Sequence, residues 1–128
     1  MKYKITKRNN STLPSNGKYV AKAMHLNTIT GEDIAEEIEK KCSATTSDVM
    51  LVLAALKESL NEHLRNGDKV ELFDLGTFKL ELESHAVDTP EDFNPKEHIR
   101  RPVLRVLPKC ENGKPELYKD VKYELWKG

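Results

Sequence analysis

The side chains that most often carry out catalysis or bind metals are few and scattered in this sequence of 128 residues. Histidines and cysteines are the strongest metal ligands among them, and they show none of the short spacings that metal sites use. They are His25, His63, His85, His98, Cys42 and Cys110. A glycine-rich phosphate loop, a Gly-x-Ser-x-Gly motif and a pair of carboxylates on a clear cleft are also absent from the sequence. We therefore predict a non-enzymatic protein with no metal, no cofactor and no small-molecule substrate.

The compartment can be predicted from the cysteines and from the distribution of apolar residues. Cys42 and Cys110 lie far apart without a Cys-x-x-Cys motif, which is typical of reduced thiols in a cytoplasmic protein. No apolar core of a secretory signal is present in the first ten residues, MKYKITKRNN. No run of 18 apolar residues exists, so nothing in the sequence predicts a membrane span. We expect a cytoplasmic protein.

Charge is distributed unevenly along the chain, although 21 basic and 21 acidic side chains give a net charge of zero. Residues 1–29 carry six basic side chains and no acidic one. Acidic side chains then exceed basic ones by nine to four in residues 30–68 and by eight to three in residues 69–99. Residues 100–128 carry eight basic and four acidic side chains. This pattern permits a local basic surface at either end, or ends that pair with the acidic middle in the fold.

Two β-strands and a helix are predicted in the N-terminal third. Alternating apolar residues favour strands over 2–8 and 18–24, joined by a polar loop over 9–17. Thr30 and Asp33 form a variant of the capping box, which predicts a helix that begins there and ends near Cys42.

The second helix carries the strongest periodicity in the chain. It begins at Thr45 or Thr46, with Asp48 in its first turn, and ends before Gly67. Its apolar stripe consists of Val49, Val52, Leu53, Leu56, Leu60 and Leu64. The short first helix cannot cover this stripe, so a sheet, a second subunit or both must bury it. A composition of 38% hydrophobic and 33% charged residues also favours a small domain that completes its core by dimerising.

Further strands are predicted over 69–74, 77–83 and 103–107, and Pro108 ends the last of these. Gly76, between the first two, would allow a positive φ or a close backbone approach. Residues 84–99 show no clean periodicity. We predict a loop over 109–119 with a short helical turn near 116–119, and a closing strand at Val121, Tyr123 and Leu125.

Two motifs relate the chain to a known family. The run from Asn66 to Phe78, NGDKVELFDLGTF, has the Gly-Asp turn, the strand and the Gly-Thr-Phe element of the bacterial HU and integration-host-factor family of histone-like proteins. The Thr-x-x-Asp-Ile-Ala pattern of residues 30–35 and the second helix are also similar to that family. The resemblance covers about residues 30–108. The basic KYK-type first strand looks like the divergent HU-like proteins of Bacteroidetes.

The resemblance implies an α+β fold: two N-terminal helices, then an antiparallel β-sheet with an arm-like excursion, in an intertwined homodimer. It implies an N-terminal basic β extension over 1–29 and an HU-like domain with a C-terminal strand over 30–128. Family members bind duplex DNA with low specificity, embrace the minor groove with two β-arms and wedge an arm-tip proline between base steps. The expected location is the cytoplasmic nucleoid.

The arm corresponds to about residues 83–102, where this sequence departs from the family. Phe93 replaces the arginine that precedes the tip Asn-Pro in the family, and residues 84–99 carry four acidic side chains against one lysine. Pro95 is then either an arm tip or a plain turn proline in a shortened, compact loop. Including this proline, the predicted DNA contacts are Arg100, Arg101, Arg105, Lys109, Lys79, Lys96 and Pro95.

Each set of basic residues has an alternative role. The strand arginines either contact phosphates or form solvated or ion-paired surface. The N-terminal Lys2, Lys4, Lys7 and Arg8 either form a phosphate-binding edge or discourage edge-to-edge strand pairing. Two functions therefore stay open: a DNA-binding architectural homodimer, and an HU-fold dimeric protein-interaction module with little DNA affinity.

Overall fold

The computed structural model describes residues 1–9, 12–14 and 16–128. Its helices are α1 (Gly31–Lys41), α2 (Thr46–Arg65) and α3 (Pro95–His98). Its strands are β1 (Lys2–Lys7), β2 (Tyr19–Ala23), β3 (Val70–Leu72), β4 (Gly76–Ser84), β5 (Ile99–Leu107), β6 (Cys110–Glu111), β7 (Lys114–Pro115) and β8 (Glu124–Leu125). The α+β class predicted from the sequence is confirmed. Asn10, Ser11 and Ser15 of the predicted loop over 9–17 lie outside the described residues.

The chain divides into two compact units, Met1–Ile34 with Asp120–Gly128, and Ala35–Lys119. The first unit holds a three-stranded sheet in the order β2-β1-β8. Strands β1 and β2 are antiparallel, and β8 runs parallel to β1, with Glu124 beside Lys2. The closing strand, which the sequence analysis grouped with residues 30–128, therefore pairs with the N-terminal strand in the structure.

Reciprocal side-chain hydrogen bonds begin both long helices. At α1 the Asp33 backbone N–H donates to Thr30 Oγ1 at 3.2 Å and the Thr30 N–H donates to Asp33 Oδ2 at 3.0 Å, which confirms the predicted cap. Thr45 and Asp48 form the same capping box at α2. Two otherwise unsatisfied backbone N–H groups thus find acceptors at each helix start.

Helix α2 ends in a Schellman motif at Gly67. The Gly67 N–H donates to the Leu64 carbonyl at 3.0 Å and the Asp68 N–H donates to the His63 carbonyl at 3.0 Å. Gly67 adopts a φ of +86°, a left-handed conformation that a residue without a Cβ reaches at little cost. The predicted end of the second helix is therefore confirmed.

The second unit is built around an antiparallel sheet in the order β3-β4-β5. Strand β3 ends at Leu72, earlier than the predicted strand over 69–74, because Phe73–Leu75 form a 3₁₀ turn with Phe73 at a φ of +45°. Strands β4 and β5 pair along their whole lengths, from Thr77 beside Leu107 to Ser84 beside Ile99. We refer to these two strands as the ribbon. Strand β5 begins four residues before the predicted 103–107.

Residues 85–98, which join the two strands of the ribbon, form a compact loop rather than an extended arm. The His85 N–H donates to the His98 carbonyl at 2.7 Å and closes the loop at its base. A 3₁₀ turn at Pro90–Asp92 and helix α3 fill its length. The family-derived arm over 83–102 is therefore wrong for the described residues, whereas the alternative of a shortened, compact loop is confirmed.

The sequence predicts a loop over 109–119 that contains a helical turn near 116–119. The structure has a hairpin with a two-residue turn in this segment instead. Strands β6 and β7 pair across Asn112-Gly113, whose φ angles are +54° and +77°. Positive φ at both central residues is the type I′ turn that Asn-Gly favours, because its twist matches that of the flanking strands. The helical turn predicted for 116–119 is wrong, since residues 116–118 are bends and residue 119 has no regular structure.

Little of the chain is buried. Among the described residues, only Ala35, Val49 and Gly76 are buried, and no polar side chain is. Within the α2 stripe Val49 is 7% exposed, whereas Val52 is 65% exposed and Leu53 is 41% exposed. This single chain therefore leaves Val52 and Leu53 of the predicted stripe exposed, and Leu56, Leu60 and Leu64 only partly buried.

Candidate nucleic-acid interface

The ribbon has one charged face and one apolar face. Because side chains alternate along a strand and directly paired residues share a face, the register determines each face. The apolar face holds Phe78, Leu80, Leu82, Pro102, Leu104 and Val106. The charged face holds Lys79, Glu81, Glu83, Arg101, Val103 and Arg105. Three predicted DNA-contacting residues, Lys79, Arg101 and Arg105, are therefore brought together on one surface.

A carboxylate lies between the two cations at the centre of this face. Lys79 and Arg105 are directly opposite each other, a like-charge pair that destabilises a sheet. Glu81 neutralises the pair, with Oε1 3.3 Å from Lys79 Nζ and Oε2 3.1 Å from Arg105 Nε. The hydrogen bond from Arg105, and then that from Lys79, hold the pKa of Glu81 below its usual value. Glu81 therefore remains ionised at neutral pH and competes with phosphate for these cations.

Two consecutive arginines share Glu83. Arg100 Nη1 lies 2.9 Å from Glu83 Oε1, and Arg101 Nε lies 3.1 Å from Glu83 Oε2. Neighbouring residues of a regular strand point to opposite faces, but the register shifts by one residue at Glu83 and Ser84. This bulge leaves Arg100 without a cross-strand partner and turns its side chain toward the same carboxylate.

Lys109 follows the ribbon and pairs with Asp74 of the 3₁₀ turn, at 3.2 Å between Nζ and Oδ1. The hydrogen bond and the charge of Asp74 raise the pKa of Lys109. All five basic residues predicted on or beside the ribbon are thus ion-paired, with three carboxylates between them.

The last two predicted contacts, Pro95 and Lys96, lie in the compact loop. Pro95 is the first residue of α3, and the Asn94 side chain accepts a hydrogen bond from the Lys96 N–H at 3.1 Å. The Asn94 N–H in turn donates to His98 Nδ1 at 2.8 Å. Asn94-Pro95 therefore begins a helical turn, and the first turn of a helix is a common position for proline. The structure does not bring Lys96 together with the ribbon cations.

Comparison of the amino-acid sequence with known proteins relates the chain to one family. The model of the HU-HIG family, described as an HU domain fused to a wHTH, Ig, or glycine-rich motif, matches residues 1–110. This chain belongs to the HU-HIG family. A DNA-binding protein HU of Thermotoga maritima is 28% identical to it over 89 residues, which cover 67% of this chain and 92% of that protein.

The HU-HIG match begins at residue 1, so it includes the two N-terminal strands as well as the ribbon. On β1 the basic residues divide between the two faces of the sheet. Lys2 and Lys4 lie on one face, and Lys7, paired with Tyr19, lies on the other.

Two further kinds of feature, clusters of metal ligands and membrane-spanning helices, are absent from the described residues of this HU-HIG chain. In the described parts of the chain, no three histidine, cysteine, aspartate or glutamate side chains are grouped to hold a metal, and Cys42 and Cys110 are free and exposed. No described helix is long and apolar enough to cross a membrane.

Sequence reasoning identified the ribbon cations and missed their carboxylate partners. The signal was present: in Lys79-x-Glu81-x-Glu83, residues two apart on a strand must share a face. Only the register with β5 places Glu81 beside Arg105 and Glu83 beside Arg101, and this register could not be read from the sequence.

Proposed function

We propose that this chain is a non-catalytic architectural protein that binds duplex DNA with low sequence specificity, as a homodimer, at the cytoplasmic nucleoid. Membership of the HU-HIG family supports DNA binding, as does the similarity to a protein named DNA-binding protein HU.

The observation that carries this proposal is the excess of positive charge at the ribbon. The ion pairs there join five cations to three carboxylates, so the paired groups carry an excess of two positive charges per subunit, and Glu71 and Glu111 lie near Lys109 as further carboxylates. These ion pairs are solvent-exposed, with the side chains of Arg100, Arg101 and Arg105 exposed by 57%, 70% and 57%. Exposed pairs contribute only about 0–1 kcal/mol each, so phosphate oxygens can replace the carboxylates at little cost.

Low sequence specificity follows from the type of contact. Arginine and lysine contacts to phosphate fix the position of a protein on DNA but carry no sequence information. The ribbon offers no described helix to enter the major groove, and its asparagine-proline loop forms a helical turn rather than a wedge. We therefore expect affinity to depend strongly on salt and weakly on sequence.

The homodimer is supported by the apolar surface of α2. Val52 is 65% exposed, Leu51 is 71% exposed and Met50 is 45% exposed in the single chain. A surface helix with this much apolar area needs a second partner, and a second copy of the same chain supplies a self-complementary one.

One observation favours the alternative function, an HU-fold dimeric protein-interaction module. Each of the five ribbon cations already has a carboxylate partner, and the loop over 85–98 adds four acidic side chains against Lys96. In that function the ribbon would stay ion-paired and phosphate would not displace the carboxylates.

A gel-shift experiment with random duplex DNA at low salt distinguishes the two functions. We expect the wild-type protein to shift the duplex, and the triple variant Arg100→Ala, Arg101→Ala, Arg105→Ala to bind more weakly to every sequence. Wild-type protein that leaves the duplex unshifted would favour the interaction module instead.

A further inference from the structure

The first unit carries a basic face that differs from the ribbon in how its charge is compensated. In the β1–β2 register, Lys4 lies directly opposite Lys22. One residue beyond each strand, the Arg8 N–H donates to the Lys18 carbonyl at 2.8 Å, so these two residues are opposite each other on the same face. We call this surface the basic face: Lys2, Lys4, Arg8, Lys18 and Lys22.

Carboxylates are scarce on the basic face. Residues 1–29 contain no acidic side chain. Glu124 of β8 lies beside Lys2, with 2.7 Å between Glu124 Oε1 and Lys2 Nζ. This contact holds the pKa of Glu124 below its usual value. Three lysines of this face have no ion-pair partner in the described residues, and all three are exposed: Lys4, Lys18 and Lys22.

The charge at Lys4 and Lys22, unlike that of the ribbon, is not compensated by a carboxylate in the described residues. Like charges directly opposite each other destabilise an antiparallel pair. At Lys79 and Arg105 the fold offsets this repulsion with Glu81 between them. At Lys4 and Lys22 nothing described offsets it, so the repulsion persists until an anion binds.

We propose that the basic face is a second DNA-binding surface, which holds the phosphate backbone of duplex DNA; this inference rests on the proposed function. The two like-charged pairs are four residues apart along β1, which corresponds to about 13 Å. This separation is close to the ~12 Å width of the major groove, so the pairs can reach phosphates on both of its sides.

The placement of aromatic residues favours duplex over single-stranded nucleic acid. Single-strand binding surfaces combine cations with aromatic rings on which bases stack. In this sheet Tyr3 and Tyr19 lie on the opposite face, as their register partners Ala23 and Lys7 require. On β1 and β2 the basic face thus offers charge without an aromatic ring on which a base could stack, as phosphate contact demands.

The test compares two variants with the same loss of charge. The first, Lys4→Gln, Lys18→Gln, Lys22→Gln, removes three lysines of the basic face. The control, Lys7→Gln, Lys57→Gln, Lys114→Gln, removes three exposed lysines from the opposite face of β1, from α2 and from β7. Both are compared with wild type by fluorescence anisotropy on a random duplex over a series of salt concentrations, and poly-glutamate is added as a competitor.

We expect the basic-face variant to lose about tenfold or more in affinity, and its log–log salt slope to flatten by about 5, because a dimer loses six lysines at about 0.9 each. The control should stay near wild type. The basic-face variant should also melt at or above the wild-type temperature, because the like-charge repulsion between Lys4 and Lys22 has been removed.

Wild-type binding with equal behaviour of the two variants would overturn the basic face and leave the proposed function intact. Absence of wild-type binding would overturn the proposed function and this inference with it. Displacement of the duplex by poly-glutamate as readily as by unlabelled duplex, at equal charge concentration, would assign the face to an acidic protein segment instead.

Discussion

Gly76 shows how one residue fixes the start of the ribbon. It is buried at a φ of +131°, outside the conformations that L-residues commonly adopt. A Cβ placed there would lie 3.2 Å from the Leu107 carbonyl carbon and would overlap the Leu107 carbonyl oxygen, both of them backbone atoms. Neither atom can move away without breaking the pairing of β4 with β5.

We therefore expect Gly76→Val to destabilise the fold severely, by about 3 kcal/mol or more, because backbone strain and overlap add. Gly31→Ala is the matched control, since a Cβ at this first residue of α1 meets no atom within 4 Å and alanine favours a helix. Thermal melting measures both variants. A Gly76→Val protein that melts with wild type would show that this conformation is not demanding.

Phe73 marks the limit of sequence reasoning at single residues. The alternation of Val70 and Leu72 predicted a strand that continues through Asp74. The structure instead turns at Phe73, whose φ of +45° is rare for a bulky side chain. No residue preference at position 73 indicates a turn there. Glycine at position 76, in contrast, does indicate a positive φ at its own position.

At the scale of elements, the caps of α1 and α2 were predictable because each depends on residues three apart in the sequence. The pairing of Glu83 with Arg101 and of Glu81 with Arg105 joins residues 18 and 24 positions apart, so it needed the register, as did the bulge at Arg100. The Asn112-Gly113 hairpin was predictable from its sequence and was missed.

The ribbon carboxylates should limit DNA affinity if the ribbon contacts phosphate. The double variant Glu81→Gln, Glu83→Gln leaves Lys79, Arg100, Arg101 and Arg105 without their anionic partners. We expect tighter DNA binding and a steeper salt slope, by about 0.9 for each additional phosphate contacted. Anisotropy on a labelled duplex measures both, with Glu58→Gln, Glu62→Gln on α2 as the equal-charge control. An increase no larger than that of the control would remove the ribbon from the interface.

The lowered pKa of Glu81 gives a pH dependence of known sign. A carboxyl whose pKa is lower in the folded state binds fewer protons there than in the unfolded chain, so it stabilises the fold above its unfolded pKa. This stabilisation is lost as pH falls through the folded pKa. Between about pH 6 and about pH 3 we expect wild type to lose more thermal stability than Glu81→Gln does. If the melting temperatures of the two proteins fall equally as pH is lowered, this prediction is contradicted.

At the scale of the whole molecule, the exposed stripe of α2 predicts dimerisation. Val52→Lys introduces a charge where the single chain is 65% exposed, so it would be nearly neutral in a monomer. In a dimer that buries Val52 it should abolish association and make the protein melt at a much lower temperature. Asn61→Lys, on the polar face of the same helix, is the control.

Light scattering and melting at several protein concentrations measure this effect. We expect a wild-type dimer whose melting temperature rises with concentration. A monomer at micromolar concentration with a concentration-independent melt, or a Val52→Lys protein indistinguishable from Asn61→Lys, would contradict the homodimer.

The two long helices and the order of the following strands were predictable, because the capping residues, the stripe of α2 and the Gly-Thr-Phe element are local. The compact loop was predictable in outline, because acidic residues and prolines replace a basic arm. The pairing of β8 with β1 and the basic face were not, because both depend on registers between distant segments.

The most direct test of DNA binding is the dissociation constant for two unrelated duplexes of equal length, measured by fluorescence anisotropy over a range of salt concentrations. Two net charges from each ribbon in a dimer correspond to about four phosphates, so the ribbons alone give a log–log slope of about −4. We expect a linear plot with this slope or a steeper one, and affinities for the two sequences within about tenfold of each other. A slope near zero, or absence of binding at low salt, would contradict the account.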